Sequence, residues 1–111
     1  MFKRSEKEFL KDIIEAIEKI KSYTENKEYD EFLRDMKTQD AVVRNIEIIG
    51  EATKNISTDF KKKYKNIEWK NMAGMRDKII HFYFGVKWEI VWSVIKNEIP
   101  LLKEKIEKII K

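Results

Sequence analysis

The sequence has 111 residues, with 24 Lys or Arg against 20 Asp or Glu, a formal net charge of +4, one histidine and no cysteine. That length provides for one core and excludes a second catalytic domain. The missing cysteines exclude a disulfide framework and thiol chemistry, and a single histidine cannot build a typical zinc site. Charged residues at 40% with three glycines and one proline are the profile of helices with solvated outer faces. No apolar run approaches the roughly 20 residues of a membrane span, and Met1-Phe2-Lys3-Arg4-Ser5-Glu6 lacks the apolar core of a signal peptide. A cytoplasmic, all-α domain over residues 1–111 is expected, and its modest positive charge permits a nucleic-acid partner without requiring one.

Ser5 followed by Glu8 has the form of a capping box, and Leu10, Ile13, Ile14, Ile17 and Ile20 then recur at helical spacing. A first helix from about Glu6 to Tyr23 is predicted. Asn26 and Lys27 form a polar break, after which Tyr29, Phe32, Leu33 and Met36 predict a short helix leading into the next. Thr38 is placed as the N-cap of a second long helix reaching Ile56. Its apolar face is Val42, Ile46, Ile49 and Ala52, while Arg44, Glu47, Glu51 and Lys54 form a charged stripe that reads as a solvated face. Glycine inside a helix costs about 1 kcal/mol relative to alanine, so Gly50 points to close backbone approach by another helix.

Ser57-Thr58-Asp59 caps a short amphipathic piece from Phe60 to Tyr64, closed by Asn66, and Lys61-Lys62-Lys63 beside it reads as solvated surface. From Trp69 a helix is predicted to about His81, with Gly85 marking the turn that follows. A last helical stretch runs from Lys87 to Asn97 and resumes from Pro100 to Ile110, with a kink or short break at the proline, which cannot donate to the ladder. Trp88 and Trp92, one turn apart, are placed as core or interface anchors. The sequence has no internal repeat, glycine-rich phosphate loop or nucleophile elbow.

The most informative stretch is Arg76-Asp77-Lys78-Ile79-Ile80-His81-Phe82-Tyr83. Histidine is the side chain whose unperturbed pKa, about 6.5, allows proton transfer in both directions near neutrality. Arg76 carries a fixed positive charge and a planar donor fork suited to phosphate, and Tyr83 adds a phenol. A phosphodiester is the natural substrate for this trio. The same residues also admit purely structural roles: His81 at a helix end, Arg76 in a surface ion pair with Asp77 or Glu68, and Tyr83 as an aromatic plug beside Phe82 and Phe84. In a regular helix, residues five apart are separated by about 140° around the axis and about 7.5 Å along it. Arg76 and His81 therefore converge only if the helix ends at His81 or if a second copy brings its motif against the first. The second arrangement also supplies both a base for the 2′-OH and an acid for the leaving 5′-oxygen of RNA, because a dimer has two histidines.

The pattern R-x-x-x-x-H-x-Y over Arg76 to Tyr83 resembles the signature of the HepT-like toxins, a branch of the HEPN ribonucleases. Ala41 through Ala52, with Arg44-Asn45-Ile46-Glu47 and Gly50-Glu51-Ala52, is similar to the family's second helix, a resemblance that moves the stripe of Arg44, Glu47, Glu51 and Lys54 towards a partly buried role near the site, and Trp69 through Gly85, with Met72-Ala73-Gly74-Met75, is similar to its third. The resemblance implies a single HepT-like HEPN domain: an up-and-down bundle of four main helices plus short ones, paired as a symmetric homodimer. It further implies metal-independent endoribonuclease activity without a cofactor. Arg76 would stabilise charge on the phosphorane, His81 would act as general base or acid, and Asp77 would orient Arg76 or a partner group. It also implies a toxin–antitoxin partnership with a minimal nucleotidyltransferase that transfers AMP from ATP to Tyr83, so that ATP is the partner's substrate only. The alternative is a non-catalytic helical adaptor dimer that binds a nucleotidyltransferase or nucleic acid without cutting it.

Overall fold

In the computed structural model, which describes residues 5–79 and 85–110, Ser5 opens α1 (Glu6–Thr24) with the expected capping box. Its Oγ accepts from the Glu8 N–H at 3.2 Å, and Glu8 Oε1 accepts from the Ser5 N–H at 2.9 Å. The helix buries Leu10, Ile13, Ile17 and Ile20 as the spacing predicts, together with Ala16, while Ile14 of the predicted stripe is only partly buried. Asn26 then takes φ 68°, a left-handed conformation that asparagine tolerates, and turns the chain into α2 (Tyr29–Leu33).

The second long helix, α3 (Met36–Asn55), starts earlier than expected because Asp35, not Thr38, is its N-cap. Asp35 Oδ1 accepts from the Thr38 N–H at 3.1 Å, and Oδ2 accepts from the Thr38 hydroxyl at 2.6 Å. Thr38 thus sits inside the first turn as a double donor to the cap. The buried face of α3 holds Val42, Ile46, Ile49 and Ala52 as expected, and also Asn45 and Thr53. Both polar side chains donate back to their own helix, Asn45 Nδ2 to the Ala41 carbonyl (2.8 Å) and Thr53 Oγ1 to that of Ile49 (2.7 Å), which lowers the cost of burying them. The Glu6 carboxylate accepts from the Ser57 N–H at 3.1 Å. The start of α1 therefore lies beside the end of α3, and the two run antiparallel.

Ser57 caps α4 (Thr58–Lys63), which begins two residues ahead of the predicted piece, its Oγ accepting from the Phe60 N–H. The helix predicted from Trp69 is interrupted. It forms α5 (Trp69–Ala73) and α6 (Met75–Ile79), separated by Gly74 at φ −92°, ψ 4°, away from helical ψ at the residue with the poorest helix propensity after proline. The predicted end at His81 lies outside the described residues.

The final stretch departs from expectation at the proline. Helix runs on from α7 (Trp88–Ser93) through a π turn (Val94–Glu98) into α8 (Ile99–Ile110), so no break occurs at Pro100. The irregularity falls just before it, where the Ile99 N–H donates to the Val94 carbonyl. A five-residue loop of the ladder is widened there, next to the residue that has no N–H to give. Trp88 and Trp92 pack on the fully buried Phe32 with ring centroids 5.7 and 5.1 Å away, which makes them core anchors holding α7 against α2. Lys103 and Glu18 pair at 2.6 Å across α8 and α1. Among the described residues the fold is all-α, with no strand, and no helix is long and apolar enough to cross a membrane.

Gly50 performs the role expected of it. A Cβ built there would lie 3.4 Å from the Ala73 carbonyl oxygen and 3.6 Å from that of Met72, so α5 lies against the backbone of α3. A methyl fits at ordinary contact and a longer side chain does not. Gly50→Ala should leave the stability unchanged or raise it by up to about 1 kcal/mol, whereas Gly50→Leu should cost about 1–3 kcal/mol through overpacking. Circular-dichroism melts of both variants check this.

The two Thr38 hydrogen bonds, aided by Lys27 at 3.3 Å, hold the Asp35 carboxyl down at about 2 from an ordinary 3.8. A depressed carboxylate adds stability above the unfolded pKa and loses it as pH falls through the folded one. The thermal midpoint of the wild type should therefore drop more between pH 4 and pH 2 than that of Asp35→Asn, which keeps an acceptor but cannot titrate. Parallel melts at the two pH values measure the difference.

Candidate active site

Met75 and Ile79 are buried on α6, one turn apart, which turns Arg76, Asp77 and Lys78 outward. The close seat of α5 on Gly50 sets where α6 begins, and Glu47 lies one turn before Gly50 on the flank of α3. The two long side chains meet as a result. Arg76 Nε stands 3.3 Å from Glu47 Oε2, with the two side chains 51% and 45% exposed. Asp77 Oδ1 is 3.7 Å from Arg76 Nη1, an ion-pair distance longer than a hydrogen bond. Glu68, the other acid considered for Arg76 from sequence, instead accepts from Asn71 Nδ2 at 2.9 Å.

Lys78 reaches the opposite way, to Glu98 of the π turn at 3.4 Å. Short as it is, α6 is seated by buried Met75 and Ile79, with one ion pair towards α3 and the other towards the last helical rod. The Lys87 N–H donates to the Ile79 carbonyl at 3.4 Å, tying the end of α6 to the approach of α7. His81 and Tyr83, the other two members of the motif, lie outside the described residues. Of the four residues singled out from sequence, the structure therefore places Arg76 and Asp77 together and leaves the other two undescribed.

Chemically, the arrangement offers a half-exposed guanidinium whose Nε is paired with a carboxylate of a neighbouring helix and whose Nη1 has only the longer Asp77 contact. That is the geometry in which arginine meets phosphate or carboxylate oxygens. Among the described residues no group of histidine, cysteine, aspartate and glutamate is placed to hold a metal ion. A cavity of about 300 Å³ between α1 and α8, lined by Ile17, Ile20, Ile95 and Ile99, does not include Arg76.

Glu47, the contact of Arg76 on α3, stood in the sequence on a charged stripe whose periodicity reads as solvated and which the family resemblance moves towards the site. The signal that would have located it is Gly50, because the glycine marks where another helix touches α3 and Glu47 stands one turn away on the adjoining flank.

The sequence pattern of the family described as Ribonuclease HepT-like matches residues 13–109, a span that includes α6. A Thermococcus cleftensis protein named "Probable ribonuclease HepT" is 53% identical over 107 residues, 96% of this chain and 97% of its own. Two Methanocaldococcus jannaschii proteins, each named as a candidate RNase, are 48% and 50% identical over 111 residues, covering 100% of this chain and 92% of each relative. No solved structure matches the chain.

Proposed function

The chain belongs to the HepT-like ribonuclease family, and from that premise we propose that it is a metal-independent endoribonuclease toxin whose Arg76 and His81, contributed by two copies, cleave RNA by internal attack. The observation that carries the reading is Arg76 itself: an outward guanidinium anchored by Glu47 and followed five residues later by the only histidine of the chain. An ion pair this exposed contributes roughly 0–1 kcal/mol to stability, so stability gives little reason for an arginine here, whereas a phosphate-binding role does.

In this mechanism one His81 takes the proton of the 2′-OH as the 2′-oxygen bonds to the adjacent phosphorus. The second His81 gives a proton to the 5′-oxygen as its bond to phosphorus breaks. The products are a 2′,3′-cyclic phosphate and a 5′-OH, and no cofactor is consumed. Arg76 meets the charge that builds on the nonbridging oxygens. Pairing two chains about a twofold axis places two of each residue in one cleft and supplies the second histidine that a single chain lacks.

Arg76→Ala and His81→Ala should each lower cleavage of RNA by about a hundredfold or more, since a transition-state donor or a general base is typically worth that much, while the thermal midpoint moves little. Activity should persist in EDTA, and sedimentation at micromolar concentration should show a dimer. Full-length RNA left intact by the wild type would favour a non-catalytic adaptor, and a strictly monomeric active protein would defeat the shared site.

Regulation follows from Tyr83, the phenol two residues past His81. A partner nucleotidyltransferase would transfer AMP from ATP to that oxygen, releasing pyrophosphate, and the added phosphodiester charge and bulk would repel and occlude the RNA backbone. Incubation with such an enzyme and ATP should raise the intact mass by one or more AMP units and silence cleavage, and Tyr83→Phe should abolish the mass increment. Adenylate on another residue, with inhibition unchanged in the phenylalanine variant, would reject Tyr83 as the switch.

A further inference from the structure

We infer that Glu47 is a positioning residue for the proposed ribonuclease reaction, acting through Arg76; the inference rests on the reading above. A guanidinium carries five N–H donors in a rigid plane, so which edge is occupied decides which edge is free. Glu47 takes the Nε edge at 3.3 Å. Asp77 stands beside Nη1 at 3.7 Å, but it comes from the same short helix as Arg76 and its side chain is 76% exposed, so it moves with what it would have to hold. Glu47 belongs to a different helix, whose neighbouring Ile46 and Ile49 are fully buried and whose Gly50 abuts the backbone of Ala73. It is the restraint on Arg76 that comes from outside α6 among the described residues. A long arginine side chain on an exposed helical face has many rotamers, and an anchor on a rigid neighbour selects among them.

The carboxylate also has an opposite effect. A negative charge this close to Arg76 repels the phosphate that Arg76 is to receive. If Glu47 acted by charge alone, removing it would improve RNA binding and leave turnover unchanged or faster. If it acts by direction, removing it lowers turnover although binding does not weaken. The two readings differ in sign.

The experiment compares single-turnover and steady-state cleavage of a defined RNA oligonucleotide by full-length wild type, Glu47→Ala, Glu47→Gln and Glu51→Gln. Glu51 lies on the same stripe one turn on, without an ion pair to Arg76, so its variant removes an equal charge and leaves the anchor. For Glu47→Ala, kcat should fall about tenfold to a hundredfold, the loss expected when a catalytic group is displaced by about 1 Å, with KM unchanged or lower. Glu47→Gln, which keeps an acceptor of the same length, should lose less, and Glu51→Gln should keep wild-type kcat. In an Arg76→Lys background, which has no Nε edge to hold, Glu47→Ala should cost less than about twofold more. The isosteric Glu47→Gln keeps the comparison valid if the alanine variant folds poorly.

Wild-type kcat in Glu47→Ala alongside an inactive Arg76→Ala would overturn the inference and leave the ribonuclease reading standing. So would an equal loss in Glu51→Gln or in the lysine background. Absence of cleavage by the wild type would overturn the ribonuclease reading and this inference with it.

Discussion

The described structure depends on α3 being packed along two flanks at once. Its isoleucine and valine ridge lies antiparallel against α1, where Ile13, Ile17 and Ile20 are almost completely removed from water. Each such side chain contributes on the order of 1.5–3 kcal/mol relative to exposure, and that burial fixes the rotation of α3 about its own axis. The rotation then dictates what the second flank presents. Gly50 faces the backbone of α5 and Glu47 faces α6. A site residue on a five-residue helix is thus located by contacts made one helix away. This matters because α6 is too short to be stable on its own.

Much of this arrangement was legible in the sequence, and the parts that were not have identifiable physical reasons. The capping box at Ser5, the apolar stripes of α1 and α3 and the break at Asn26 follow from local periodicity and local hydrogen bonding, which a sequence carries directly. The start of α3 was placed late because Thr38 and Asp35 are both good caps, and aspartate prevailed by accepting from both the backbone and the hydroxyl of the threonine. The split at Gly74 was missed because Trp69 to Ile79 keeps helical spacing of its apolar residues across the glycine. The continuity through Pro100 was missed for a different reason. A wider π turn can absorb the missing donor, and nothing in residue type announces a π turn. At the site, Arg76 and Asp77 were visible as a motif, but the Glu47 contact is a tertiary one between residues 29 positions apart. Gly50 and the resemblance of this helix to the family's second helix pointed towards it without naming the partner.

The energetics separate what holds the fold from what is left over for a substrate. Apolar burial along α1, α3 and α8 and the aromatic stack of Phe32 with Trp88 and Trp92 are the stabilising terms. The ion pairs of Arg76 and Lys78 are half-exposed and add little to stability. Charged side chains that the fold does not need for stability, held on both sides of one short helix, are free to be used on a substrate. An outward guanidinium with a fixed edge has low reorganisation on meeting a phosphate, which is the condition under which electrostatic stabilisation of a transition state is most effective.

The central claim is that this family member cuts RNA through the ribose of its own substrate, with Arg76 and His81 as the acting groups. Once the scissile bond of a cleavable oligonucleotide is mapped, the most direct measurement replaces the single ribose on its 5′ side with 2′-deoxyribose and follows cleavage at that position in EDTA. Internal attack predicts that the substituted bond is left intact while the all-ribose substrate yields a 2′,3′-cyclic phosphate and a 5′-OH. Cleavage of the deoxy-substituted bond at the all-ribose rate would contradict the account.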